Sequence, residues 1–282
     1  MYDLHSQILP GIDDGAASLE VALEMARAAA GQGVLSMACT PHILPGVYEN
    51  SGEQIKQAVS ALQMHLDESG ISLQLVAGAD NHITPDFVGG LKSGHLLSLN
   101  GSRYVLVEPP HHVAPARLED LFFGLLVADY IPILTHPERL RWIEDTYDVM
   151  RRLTDRGVWM QITCGSLSGR FGRRARYWAE RMLAEGRVHI LATDAHNMTK
   201  RPPDLADGYR FAERLVGEQE AHNLVVTRPY GILSDTAPGE LPVPDGTAEP
   251  FQEVGVEHGD ARFSRNPSRG GIAQRLQRLL TG

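Results

Sequence analysis

Asp194 and His196 stand one residue apart in Leu191-Ala-Thr-Asp-Ala-His-Asn197, directly after the mostly apolar run Val188–Leu191. A carboxylate and an imidazole that close, at the lip of a buried strand, suit a divalent cation, although Asp-x-His also serves as a hydrogen-bonded loop pair. The pattern recurs along the chain. His5, His42, Asp80, Glu108 and His136 also close, or closely follow, short strand-like runs. A single histidine of this kind reads most simply as a core residue bonded to a backbone carbonyl. Six strand ends out of seven carrying nitrogen or oxygen donors point instead to a shared, multinuclear metal site.

Carboxylates and imidazoles without a thiolate suit Mn, Fe or Zn rather than a structural Cys-type zinc site. Two or three such cations held close together match the clamp of phosphoester hydrolysis, in which a bridging hydroxide attacks phosphorus. Arg139, in His136-Pro-Glu-Arg139, and Arg201, in Lys200-Arg-Pro202, each follow one of these ends. A guanidinium fork can hold two phosphoryl oxygens, and either arginine taken alone could equally be a surface ion-pair residue.

The elements that must carry these residues alternate regularly. Strands are expected at Tyr2–His5, Val34–Cys39, Leu73–Ala77, Tyr104–Val107, Ile131–Leu134, Val158–Ile162 and Val188–Leu191. Helical spacing follows most of them: Leu19–Ala30 behind an N-cap at Ser18, Ile55–Leu66, Leu118–Val127, Ile143–Leu153 and Tyr177–Leu183. Such alternation implies an α/β fold with a parallel sheet, open or closed into a barrel, whose functional loops follow the carboxyl ends of the strands. Beyond Leu233 the chain turns rich in Pro, Gly, Ser and charge. Residues 1–233 therefore read as the folded body, and 234–282 as a low-complexity linker, disordered or loosely wrapped, ending in a short basic amphipathic helix over Ile272–Leu280.

Composition narrows the class. An apolar content of 43% and a charged content of 22% are ordinary for a globular protein, and a net charge of −9 argues against a nucleic-acid binder. Cys39 and Cys164 are too few and too far apart for a disulfide framework. No apolar run approaches a transmembrane span and no basic-then-apolar leader opens the sequence, so a cytoplasmic location is expected.

Tyr2-Asp-Leu-His5-Ser, Ile8-Leu-Pro-Gly-Ile-Asp-Asp-Gly15, Thr40-Pro-His42, Gly46-Val-Tyr-Glu-Asn50, His136-Pro-Glu-Arg139, Gln161-Ile-Thr, Gly165-Ser-Leu, Gly169-Arg-Phe-Gly172 and Thr193-Asp-Ala-His-Asn197 together resemble the polymerase-and-histidinol-phosphatase (PHP) superfamily. More narrowly they are similar to its CpsB/CapC branch of metal-dependent bacterial protein-tyrosine phosphatases. The resemblance implies a distorted (β/α)7 barrel, a trinuclear site usually associated with manganese, and phosphotyrosine hydrolysis. Its implied substrate is the tyrosine-rich tail of a bacterial tyrosine autokinase that controls capsule or exopolysaccharide export, and its implied assembly is a homo-oligomer. Carried over position by position, the ligand set falls on His5, Asp14, His42, Asp80, Glu108, His136, Asp194 and His196, and the phosphate-binding arginines on Arg139 and Arg201.

Two positions depart from that pattern. Gln7 stands where the family carries the second histidine of His-x-His, and offers only a neutral amide oxygen. Asp80 replaces a glutamate one methylene longer; His82 beyond it could compensate but reads more simply as a solvent-facing loop residue, and His111 and His112 as a polar loop. Substrate specificity is expected in the rim, which includes those two histidines and the Leu44–Asn50 loop. Two other readings stand beside the phosphatase. Cys164-x5-Arg170 has the spacing of a cysteine-dependent phosphatase loop, although Phe171 replaces the hydroxyl residue usual after the arginine. A barrel weakened at Gln7 could instead bind phosphotyrosine or a partner kinase without turnover.

Overall fold

A computed structural model describes residues 1–247 of the chain. Its strands are β1 (Tyr2–Ser6), β2 (Ser36–Cys39), β3 (His42–Ile43), β4 (Gln74–Ala77), β5 (Asp80–His82), β6 (Tyr104–Glu108), β7 (Ile131–Thr135), β8 (Trp159–Thr163) and β9 (Ile190–Ala192). Every ladder between them is parallel: β1-β2-β4 form one set and β3-β5-β6-β7-β8-β9 the other. The two sets belong to one curled sheet. β2 leads into β3 across Thr40-Pro41, β4 leads into β5 across Gly78-Ala79, and the end of β1 meets the chain just beyond β9 at an isolated parallel bridge between Ser6 and Ala195. That seam is closed by Gln7 N–H donating to the Ala195 carbonyl and Asp194 N–H to the His5 carbonyl, each at 2.8 Å. Each of the seven expected strand positions thus holds a strand, and the second and third are each followed by a further short one.

The breaks have local causes. Pro41 has no N–H to give a ladder. A Cβ on Gly78 would fall 2.9 Å from Leu99 Cδ2, so a side chain there would have to push the Leu99 methyl aside.

The α-helices of the described residues are α1 (Leu19–Gly31), α2 (Gly52–Glu68), α3 (Phe87–Ser93), α4 (Leu118–Val127), α5 (Ile143–Asp155), α6 (Cys164–Leu167), α7 (Gly172–Ala184), α8 (Leu205–Val216), α9 (Glu218–His222) and α10 (Arg228–Leu233). Ser18 caps α1 as expected, its hydroxyl accepting from Val21 N–H at 3.4 Å. In α2 the helically spaced Ile55, Val59, Leu62 and Leu66 are the buried face.

Because strand side chains alternate, the sheet buries both faces. Leu4, Ala38, Val76, Tyr104, Leu106, Ile133, Trp159 and Ile190 pack together with Ile232 of α10. Met37, Cys39, Leu75, Val105, Leu134, Met160, Ile162 and Leu191 join the larger core that contains the helices. Each fully buried leucine or isoleucine contributes about 1.5–3 kcal/mol. Two residues past Leu106 and Trp159, on the same face of the pleat, come Glu108 and Gln161. The inner face thus changes from apolar to ionisable and amide at the carboxyl ends of the strands.

Residues 234–247 continue along the body. Arg103 pairs with Asp235, Tyr104 Oη donates to the Thr236 carbonyl at 2.8 Å, and the Thr247 N–H donates to the Ala184 carbonyl at 2.9 Å. The rest of the stretch expected to be loose, and the amphipathic helix expected over Ile272–Leu280, lie outside the described residues. Among the described residues no helix is long and apolar enough to cross a membrane.

Candidate metal centre

Each candidate ligand reaches the mouth of the curled sheet by its own route. His5 sits in β1 where the register with β2 shifts between Asp3 and Ser6. In an unbroken strand Leu4 and His5 would face opposite ways; the irregularity lets both serve the inner side. Across β3 and β5, His42 is paired with Asp80, and across β5 and β6, His82 is paired with Glu108. His136 and Asp194 follow β7 and β9 with φ of +34° and +50°, backbone that non-glycine residues rarely adopt, so the chain turns sharply at two of the candidate ligands. Asp14 arrives on a loop that Gly15 makes possible, since a Cβ there would lie 2.0 Å from the Gln7 carbonyl oxygen. Its neighbour Asp13 is occupied otherwise, accepting from the N–H groups of Gly15 and His42.

The side chains converge. His5 Nε2 lies 3.4 Å from Asp80 Oδ2 and 3.5 Å from Asp194 Oδ1. His42 Nδ1 lies 3.6 Å from Asp80 Oδ2 and 3.2 Å from Glu108 Oε2, while its Nε2 is 3.5 Å from Asp14 Oδ1. His136 Nε2 lies 3.6 Å from Glu108 Oε1 and 3.8 Å from Asp80 Oδ2, and His196 Nε2 is 3.5 Å from Asp14 Oδ2. These contacts resolve into overlapping trios: His5, His136 and Asp194; Asp14, His42 and His196. Two further trios share Glu108, one with His42 and His82 and one with His111 and His136.

Many of these atoms have no hydrogen-bond partner although they are buried: His5 Nε2, His42 Nδ1, both oxygens of Asp80, Asp194 Oδ1 and His196 Nε2. Leaving such a group unsatisfied costs on the order of 1–3 kcal/mol, more when it is charged. Six in one place is an arrangement that could hold cations. The nitrogen and oxygen donor set, with no thiolate, fits divalent Mn, Fe or Zn. Gln7 is also wholly buried, with neither amide atom partnered.

Electrostatics agree with that reading. Burial opposes ionisation of Glu108, yet contacts with His111, His42 and His82 outweigh it and hold its carboxyl well below the usual range. At Asp194 burial is likewise outweighed, by His5, Arg201 and Arg139. Burial disfavours the charged forms of His5 and His42, but the surrounding carboxylates draw their values up to about 9 and about 10. His136 is pushed down to about 4, by burial and then by Arg139. The field of the pocket is one that attracts positive charge.

Arg139 and Arg201 both donate to Asp194 Oδ2, Arg139 Nη1 at 2.5 Å, and both guanidinium groups lie over the Phe171 ring, at 4.4 and 5.9 Å from its centroid. Tyr48, in the Leu44–Asn50 loop, stacks on His42 at 5.8 Å, and Asn50 Nδ2 pins that loop to the Ile12 and His42 carbonyls. Cys164 takes no part. It is buried against α8, where a Cβ on Gly208 would strike its Sγ at 2.2 Å, and burial raises its thiol well above the ordinary value. Arg170 is tied to Asp204.

Every histidine, aspartate and glutamate among the candidate ligands therefore has ligand-type neighbours in one cluster. Two residues read from the sequence as loop histidines also face the cluster. His82 is a strand residue whose Nε2 lies 2.5 Å from Glu108 Oε2, and His111 Nε2 lies 3.1 Å from Glu108 Oε1. The signal for His82 was its i+2 spacing from Asp80, which puts both on one face once the segment is a strand. His111 carried no such signal, since a loop residue has no periodicity.

Residues 1–234 match a family described as capsular polysaccharide synthesis, CpsB/CapC. The chain is 37% identical over 244 residues to the tyrosine-protein phosphatase YwqE of Bacillus subtilis (strain 168), spanning 86% of this chain and 96% of that protein. It is 35% identical to the putative tyrosine-protein phosphatase CapC of Staphylococcus aureus, over 72% of this chain and 79% of that one. Against the tyrosine-protein phosphatase CpsB of Streptococcus pneumoniae it is 30% identical, over 83% and 99%. Among solved structures, it superposes with a TM-score of 0.82 and 32% identity on a chain from the crystal structures of YwqE and CpsB, described there as unique metal-dependent tyrosine phosphatases. That match covers 88% of this chain and 100% of the other.

Proposed function

The chain belongs to the CpsB/CapC family, and we propose that it is a metal-dependent protein-tyrosine phosphatase of capsule or exopolysaccharide synthesis. Its substrate in this reading is the phosphotyrosine-bearing tail of a bacterial tyrosine autokinase, met in the cytoplasm. The fold is then a distorted (β/α)7 barrel of the PHP type, acting as a homo-oligomer. Its ligands are His5, Asp14, His42, Asp80, Glu108, His136, Asp194 and His196, holding two or three cations, manganese first and iron or zinc next. The neutral amide of Gln7 makes the position beside it the weakest. The observation that carries this reading is the set of buried, unpartnered donors beside two arginines that share one aspartate oxygen.

Bound divalent cations supply a water acidic enough to attack phosphorus and positive charge against the phosphoryl oxygens. The chain's own residues do the rest. Asp194 Oδ2 fixes Arg139 and Arg201 side by side, so their remaining N–H groups are aimed before substrate arrives and cost no reorganisation. Phe171 backs both guanidinium groups and offers an aromatic face to the aryl ring of a phosphotyrosine. A phenol, with a pKa of about 10, leaves with less need for a proton than an alkyl alcohol, which suits a site whose deepest histidines are assigned to the cations.

The test is the hydrolysis of p-nitrophenyl phosphate and a phosphotyrosine peptide. Chelation should abolish both and added manganese restore them, while thiol alkylation leaves them intact. Activity that survives thorough chelation and is lost on alkylation would hand the chemistry to Cys164 and overturn the reading.

A further inference from the structure

Beside the cation cluster lies a cleft of about 440 Å³ lined by His111, Arg139, Arg141, Phe171, Arg174 and Ala175. It shares two residues with the centre. His111 faces Glu108 from one side, and Arg139 holds Asp194 from the other. Three arginines and no carboxylate line this cleft, in a chain whose net charge is −9.

The three arginines differ in what they already hold. Arg139 is committed to Asp194. Arg174 is braced, its Nε on Glu144 Oε1 and its Nη2 on the Leu140 carbonyl, each at 2.8 Å. The side chain of Arg141 is exposed and has no hydrogen-bond or ion-pair partner among the described residues. Its backbone, in contrast, is fixed: the Arg141 N–H donates to the His111 carbonyl at 3.0 Å, and Trp142 Nε1 donates to the Pro110 carbonyl at 2.9 Å. The walls of the cleft are pinned while one cation on them is free.

Resting on the phosphatase reading above, we propose that this cleft binds an anionic side chain of the substrate peptide, a carboxylate or a second phosphate, close in sequence to the scissile phosphotyrosine. With the scissile phosphoryl group on Arg139 and Arg201 and the tyrosine ring on Phe171, the flanking chain leaves across the same ring, where Arg141 and Arg174 meet it. A guanidinium pairs with either anion through parallel N–H donors. The pair forms near solvent, so its gain is modest and falls with ionic strength. The cleft therefore selects substrates and leaves the chemical step to the cations and Arg139.

Four synthetic phosphotyrosine peptides test this, with flanks that are neutral, Asp/Glu-rich, Lys-rich, or carry a second phosphotyrosine. The unaltered chain should show kcat/KM roughly two- to fivefold higher on the acidic than on the neutral peptide, carried by KM and diminished by salt. Comparison with the doubly phosphorylated peptide tells which anion is preferred. In Arg141→Glu the acidic-to-neutral ratio should fall to one or below and the Lys-flanked peptide should become the better substrate, an inversion that loss of folding cannot imitate. Arg174→Ala should lower the ratio as well. Equal kcat/KM on neutral and acidic peptides, or a preference untouched by Arg141→Glu, overturns the inference while the phosphatase reading stands. No turnover of any peptide or of p-nitrophenyl phosphate by the manganese-loaded chain overturns both.

Discussion

Gln161 Oε1 lies 2.9 Å from His5 Nδ1, both side chains wholly buried. An amide oxygen can only accept, so the imidazole donates from Nδ1, which leaves Nε2, facing Asp80 and Asp194, as the nitrogen a cation can take in place of a proton. Outer contacts of this kind commonly contribute 10–100-fold in metal affinity. Gln161→Leu should weaken manganese binding by about that factor, read by calorimetry, with the circular-dichroism spectrum preserved. Unaltered affinity would mean that His5 does not use Nε2 toward a cation.

His111 and His112 are adjacent in sequence and unlike in place. His111 faces Glu108 Oε1, whereas His112 is exposed. Likewise His82 meets Glu108 Oε2 from the opposite side. His82→Ala and His111→Ala should each lower bound metal per chain or its retention during dialysis, measured by elemental analysis; His112→Ala should not. A metal content indifferent to all three substitutions would confine the cations to the other ligands.

What the sequence made legible, and what it hid, follows from how far each signal reaches. Donors at the ends of β1, β6, β7 and β9 were visible because several apolar residues precede each one. The separate pieces β3 and β5 were hidden, because two or three residues after a Pro41 or Gly78 break carry no periodicity. Helix α8 escaped because Gly208 weakens its helical pattern, yet that glycine is what lets Cys164 pack beneath it. Residues 234–247 lack apolar content and read as loose. They are held mainly by polar contacts, Asp235 on Arg103 and the Pro242 carbonyl on Arg228, with Leu241 packed against the inner cluster. Hydrophobic patterning cannot see such contacts.

Because Arg139 and Arg201 share Asp194 Oδ2, their losses should not add. Each alanine variant should lower kcat/KM on p-nitrophenyl phosphate by about 10²–10³-fold, the cost of removing one preorganised donor. The double variant should fall short of the product. Arg139→Lys should recover little, since a point charge cannot hold Asp194 and a phosphoryl oxygen with one planar fork. Full recovery by lysine would reduce the arginine to its charge alone.

His189, away from the cation cluster, gives the chain a pH dependence of its own. Its Nδ1 accepts the Met160 N–H at 3.1 Å, its ring stacks on Trp159 at 4.7 Å, and burial, with Arg228 nearby, presses its value down to about 3. In the folded chain it is therefore neutral, while in the unfolded chain it titrates near 6.5. Between those limits the unfolded state binds the extra proton, so stability is complete above about pH 6.5 and falls as the pH drops toward 3, by on the order of a few kcal/mol. In His189→Asn an amide oxygen can still accept the Met160 N–H, and there is no group to protonate. The variant should lose less stability than the parent between pH 7 and pH 4, as followed by urea unfolding at each pH. The acidic cluster titrates in both proteins, so it cancels from the difference. A stability difference that stays constant across that range would mean that His189 is already protonated in the fold, or never becomes so in the unfolded chain.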